Sequence, residues 1–196
     1  MSVYLGVRRF TLKIVTFALL IVASTCSTFA QQPNPTQKPA SADSAASPAA
    51  RPTDVDSVEH IVAAIYDTIS GPTGTRDWNR LRSLFHPEAR LISSGRRDGK
   101  VVARVRTMDE YIKTTSELFA KEGFFERGIH NDIQQFDHMA QVWSTYESRH
   151  NKDDVKPFVR GINSFQLLYD GSRWWVVNVY WQNEDASNPI PAKYLP

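Results

Sequence analysis

Apolar residues recur three and four apart at Val58, Ile61, Val62, Ile65 and Ile69, the spacing of one helix face, after the acidic capping residues Asp54 and Asp56. Ser70-Gly71-Pro72 ends that helix. A shorter second helix follows Asp77, with Trp78, Leu81, Leu84 and Phe85 inward; Pro87 disfavours helical backbone at His86. Stretches 89–94 and 101–105 predict a hairpin turning on Arg97-Asp98-Gly99. Thr107 and Glu110 have capping-box spacing for a third helix, with Tyr111, Ile112, Thr115, Leu118 and Phe119 on its inner face and Gly123 as its terminal cap. Beyond Phe124 the helical period stops, and strands are expected over 124–137, 139–149, 159–169 and 174–182.

Helices first and long strands afterwards predict an α+β fold, a curved antiparallel or mixed sheet wrapped around three N-terminal helices. The closing hairpin, Gly161 to Gln182, joins two aromatic-rich runs through Asp170-Gly171. Strict alternation along its last strand puts Trp175, Val177, Val179 and Trp181 on one face and Trp174, Asn178 and Tyr180 on the other. An outer face carrying Trp174, Tyr180, Phe165 and Leu167 is costly to leave wet, which predicts a homodimer or partner surface there; hairpin register decides which side is inner.

The folded unit is expected over 53–183, with a tail at 184–196. Ahead of it, Met1 to Lys13 holds Arg8, Arg9 and Lys13 and no acid, Ile14 to Ala23 is unbroken apolar sequence, and Thr28-Phe29-Ala30 has small residues where a signal peptidase cuts. Residues 1–30 therefore read as an export signal, with a periplasmic or extracellular destination. The apolar run is too short for a stable membrane span. Cys26 leaves lipoprotein anchoring as a rival route, and Arg8-Arg9 resembles a twin-arginine leader. Residues 31–52, rich in Pro, Ala and Ser, cannot bury a core and read as a disordered linker. The leader takes three of the 23 basic residues and none of the 21 acids, so the remaining chain is close to neutral and makes no electrostatic case for nucleic acid. Cleavage after Ala30 would also remove Cys26, the chain's one cysteine.

The turn Asp77-Trp78-x-x-Leu81-x-x-Leu84-Phe85-His86-Pro87-x-Ala89 and the strand Arg173-Trp174-Trp175-x-Val177-x-x-x-Trp181 resemble the nuclear-transport-factor-two-like superfamily, which includes SnoaL-like polyketide cyclases. The resemblance covers about 54–183. It implies a cone-shaped domain with an apolar cavity between helices and sheet, often dimerising through the outer sheet face. Members include isomerases, dehydratases, hydrolases, cyclases and non-catalytic binding domains. The isomerase pattern's basic aspartate falls on Ser93, which cannot abstract a carbon-bound proton unaided. Tyr66 is a stand-in for its tyrosine. Uncharacterised secreted members share the stretches Ser144 to Arg149 and Arg160 to Ser164.

Candidate chemistry starts at His130. Strict alternation puts Glu126, His130 and Asp132 on one strand face, but Glu126 and Asp132 would be roughly 20 Å apart, too far for one metal, and no metal site or cofactor is expected. Tyr66, Tyr146 and Glu147 are the accompanying acid-base candidates; Glu147 with Arg149 and Arg160 reads equally as an outer-face salt bridge. Trp78, Tyr111, Phe119, Ser164, Trp175 and Trp181 are the candidate ligand contacts. Two functions remain open: binding of a small, largely apolar ligand or a protein partner without catalysis, and an acid-base enzyme of hydrolase, isomerase or lyase type. An inward His130 beside a carboxylate or tyrosine would favour the second.

Overall fold

A computed structural model describes residues 47–196; the expected leader, Cys26 and the linker up to residue 46 lie outside the described residues. A short helix, α1 (Pro52–Val55), precedes α2 (Val58–Ile69). Ser57, rather than Asp54 or Asp56, caps α2 by accepting from the His60 amide. Asp54 instead receives the Arg80 guanidinium at 2.8 and 3.0 Å, tying α1 to α3 (Trp78–Leu84), and this partner holds its carboxyl below the usual range. Ser47 reaches the Phe85 carbonyl at 3.2 Å and Ala50 packs on the core, so packed chain extends ahead of Thr53.

Asp77 caps α3, which ends as Phe85 turns extended. Strands β1 (Phe85–Arg97) and β2 (Lys100–Arg106) form the expected hairpin, with Asp98 and Gly99 at φ 51° and 74°, the left-handed region that suits Asp-Gly. Helix α4 (Met108–Phe119) opens on the complete Thr107/Glu110 capping box. Its C-cap is Ala120, not Gly123; what Gly123 permits is close chain approach, since a Cβ there would lie 2.3 Å from the His150 carbonyl oxygen.

Four long strands follow: β3 (Phe125–Phe136), β4 (Met139–Arg149), β5 (Val159–Tyr169) and β6 (Trp174–Asn183). The six-stranded sheet runs β2-β1-β6-β5-β4-β3; β1 is parallel to β6 and the other pairs are antiparallel. Helix α2 packs across its concave face, and Ile61, Leu84, Val142, Phe165 and Val176 close the core between them.

Two bulges decide which side chains face that core. In β3, Gly128 opposes Tyr146 while His130 opposes Thr145, leaving Ile129 as an extra residue. In β6, Asn178 opposes Gln166 while Val176 opposes Leu167, leaving Val177 extra. Alternation reverses at each bulge. Glu126 and Gly128 therefore face inward with Asn131 and Ile133, while His130 and Asp132 face outward, so the single face expected for Glu126, His130 and Asp132 does not form. Likewise Trp174, Val176, Val179 and Trp181 face inward and Trp175 outward. Trp174, Phe165 and Leu167, expected outside, are core residues at 5%, 1% and 2% exposure.

Residues 184–196 fold back over the outer face. The Thr145 hydroxyl donates to the Tyr194 carbonyl at 2.6 Å, Tyr194 packs on Trp143, and Glu184 pairs with Arg160 at 2.5 Å. Among the described residues no helix is long and apolar enough to cross a membrane.

Candidate functional site

The cone is not filled. Between α2, α4 and the concave sheet lies a cavity of about 220 Å³, larger than the roughly 150 Å³ that accommodates benzene in an apolar protein interior. Aliphatic and aromatic groups, among them Ile69, Leu81, Leu91, Phe119 and Val179, form most of its wall. Seven polar side chains interrupt it: Tyr66, Arg106, Tyr111, Thr115, Glu126, Tyr146 and Asn163.

Glu126 enters from the start of β3. Ser148 donates to its carboxyl at 2.7 Å and the Asn163 amide approaches at 3.5 Å. Burial dominates these bonds and pushes the carboxyl up to about 7. Asn163 also donates to the Tyr66 hydroxyl at 3.1 Å, and that hydroxyl shares a 2.6 Å bond with Ser144, so one amide bridges tyrosine and carboxyl. Gly128 leaves room for this arrangement; a Cβ there would meet the Tyr66 ring at 3.1 Å. Across the sheet, Tyr146 donates to Asn183 at 2.5 Å, its ring lying over Gly161. Burial raises all three cavity phenols, Tyr111 to about 12, and the Glu126 charge adds to the rise in each. At neutral pH they are proton donors.

Arg106, the last residue of β2, extends its guanidinium over Trp181 and Tyr111, 5.1 and 5.7 Å from their ring centres. It donates once, to Ser93 at 3.0 Å, and burial lowers its pKa. A wider cleft of about 770 Å³ shares Tyr66 and Glu126 with the cavity wall.

Of the residues singled out from sequence, Tyr66, Tyr146, Tyr111, Phe119 and Trp181 line the cavity. Trp78 stands behind it, stacked on Phe119 at 6.1 Å. The others lie across the sheet. Ser164 lines a groove under the C-terminal tail. Trp175 donates to Asp170 at 2.6 Å beneath Arg173. Glu147 accepts from Arg127 and Arg149 at 2.7 and 2.6 Å, which holds its carboxyl low. His130 faces outward opposite Thr145 and is brought together with none of the tyrosines. Asn163 and Arg106 were not expected in the site, and Glu126 was expected there only beside His130. No local sequence signal marks them: the inward Glu126 follows from the register of Gly128 against Tyr146, and Arg106 from its place at the end of β2. Among the described residues no group of three or more His, Cys, Asp or Glu could hold a metal ion.

Neither a protein-family profile nor a curated protein sequence matches the chain. Solved structures do. A cystatin-like-fold protein of unknown function from Nostoc punctiforme matches with a TM-score of 0.51 at 10% identity, over 66% of this chain and 90% of its own. A nuclear-transport-factor-two-like protein of unknown function from Silicibacter pomeroyi has a TM-score of 0.43 at 17% identity, over 64% and 97%. A proposed dehydratase of that family from Streptomyces avermitilis has 0.49 at 13% identity, over 68% and 98%. At such identities the likeness is one of fold. The chain has the α+β architecture of the cystatin-like-fold protein, an open mixed sheet curved around helices.

Proposed function

We propose that the cone cavity binds a small, largely apolar molecule, with Glu126 and the tyrosines as its orienting contacts. The observation that carries this reading is a cavity of about 220 Å³ with a mostly apolar wall into which a few polar groups converge, Glu126 and three phenols among them. The test is native mass spectrometry of the chain recovered from its own envelope, followed by titration with 1-hexanol and indole. A retained small mass or a saturable response is expected. A ligand-free chain that responds to neither probe would sink the reading.

A second reading, acid-base turnover, is favoured by the same carboxyl, because a group titrating near 7 both takes and returns protons at neutral pH. The role first considered for His130 would then pass to Glu126. Glu126→Gln should abolish any turnover found while leaving probe binding within a few-fold; full turnover in that variant would refute catalysis by Glu126.

The domain is further proposed to work outside the cytoplasm, in the periplasm or the extracellular space, on the strength of its first 30 residues. N-terminal sequencing should begin at Gln31. A chain lipidated at Cys26 would place it on a membrane, and one retaining Met1 would refute export.

A further inference from the structure

The cavity contains a cation that the fold does not neutralise. The other basic side chains of the first hairpin, such as Arg97, Lys100 and Arg104, stand in solvent, whereas Arg106 turns inward and lines the cavity wall. Enclosed arginines elsewhere have acceptors: Arg80 pairs with Asp54 and Asp67, Arg149 with Glu147, and Arg76 and Arg173 each donate to backbone carbonyls. Arg106 has no ion pair among the described residues, and its one hydrogen bond goes to the neutral Ser93 hydroxyl. Its Nε is the one buried side-chain nitrogen or oxygen among the described residues that lacks a hydrogen-bond partner. The faces of Tyr111 and Trp181 hold the guanidinium plane but offer no acceptor in that plane.

We propose that the cavity's ligand is a small apolar monocarboxylate whose headgroup is bound by Arg106 and whose body lies against Phe119, Leu118 and Val179. The inference rests on the ligand-binding reading above and names the ligand's class. A planar carboxylate matches the guanidinium fork, and a small rotation of the guanidinium over the two rings would bring Nε into the pairing. Burying such an anion is favourable only where a cation waits for it, and Arg106 is the one uncompensated cation in the wall. Glu126 does not take that place: it makes no ion pair with Arg106, its carboxyl bonding Ser148 and Asn163, and burial draws it towards its neutral form, which lessens the competing charge. The apolar remainder of the wall excludes strongly hydrated anions such as phosphate, which would leave most of their oxygens unpaired.

The test is calorimetric titration of the mature protein at pH 7 with matched pairs: hexanoate against 1-hexanol, and 3-phenylpropionate against 3-phenyl-1-propanol. Each acid should bind at least tenfold tighter than its alcohol. Arg106→Gln should bring the acid down to the alcohol's affinity, and Arg106→Lys should keep part of the preference, since it keeps charge but loses the planar fork. Acids and alcohols binding equally to the wild-type chain, or an acid preference that survives Arg106→Gln, would overturn the proposal while leaving cavity binding intact. If none of the four probes binds, both the proposal and the binding reading fall. The wild-type comparison needs no variant, so it decides even if Arg106→Gln does not fold.

Discussion

A carboxyl held near neutrality inside an apolar chamber makes the folded state prefer its proton. Burial pushes Glu126 up to about 7 in the folded chain from an ordinary glutamate value of 4.5, so between these pH values the unfolded chain has released a proton that the folded chain keeps. The stability this contributes is fully present below pH 4.5, falls as pH rises towards 7 and is gone above it, a difference of at most about 3 kcal/mol. Thermal melts should show wild type losing ground to Glu126→Gln across that window; parallel curves would mean the carboxyl is solvated. Asp54 and Glu147, both held low by arginines, act in the opposite sense and at lower pH, losing their contribution as pH falls below the carboxylate range. Tyr66 gives a second residue-level prediction. Its hydroxyl partners Ser144, which is fully buried, and Asn163, at 6% exposure. Tyr66→Phe should cost about 1–3 kcal/mol in denaturant unfolding, because both partners keep their burial and lose a bond.

At the scale of elements, the helices were legible because each carries its own start signal and face, as with Thr107 and Glu110 ahead of Tyr111 or Asp77 ahead of Trp78. Strand positions were legible too, since Asp98-Gly99 and Asp170-Gly171 fix the hairpins. What could not be read was which face each strand residue takes beyond a bulge. One unpaired residue, Ile129 or Val177, inverts everything after it, and no local propensity marks either position. Hence His130 was sought inside and found outside, while Trp174 and Trp175 changed places. Arg106 was read with its basic hairpin, and only the end of β2 meeting α4 turns it inward. The site also depends on an element-level feature that a sequence shows as a bare glycine. A Cβ at Gly161 would lie 2.4 Å from the Gln182 carbonyl oxygen and 2.5 Å from the Tyr146 hydroxyl. The first atom belongs to the paired backbone of β6 and cannot yield without opening the ladder. Gly161→Ala should therefore destabilise by about 1–3 kcal/mol or more and release Tyr146 from Asn183, visible as a Tyr146 ring that becomes accessible to nitration. A variant of unchanged stability would mean the strands separate more easily than this packing implies.

For the whole molecule, the outer sheet face divides into a covered half and a bare half. The tail covers one end, where Thr145 is fully buried although it points away from the cone. At the other end Phe136, Met139, Leu168 and Trp175 oppose one another in register across four strands, so their side chains form one outward row. Phe136 is 79% exposed and Met139 64%, an apolar strip wide enough to attract a second sheet. The outer-face homodimer expected from the sequence would use this strip. Light scattering should then give twice the chain mass at tens of micromolar, and Phe136→Asp with Leu168→Asp should return a monomer whose melting, extrapolated to infinite dilution of the parent, is unchanged. The two residues contribute little to the core, so a loss of folding in that variant would itself contradict their outward placement. A wild-type chain that stays monomeric at such concentrations would reject pairing and leave the strip for a different protein. Because the strip and the cavity occupy opposite faces of one sheet, the monomeric variant should also bind hexanoate as the parent does, which separates assembly from ligand recognition in a single preparation.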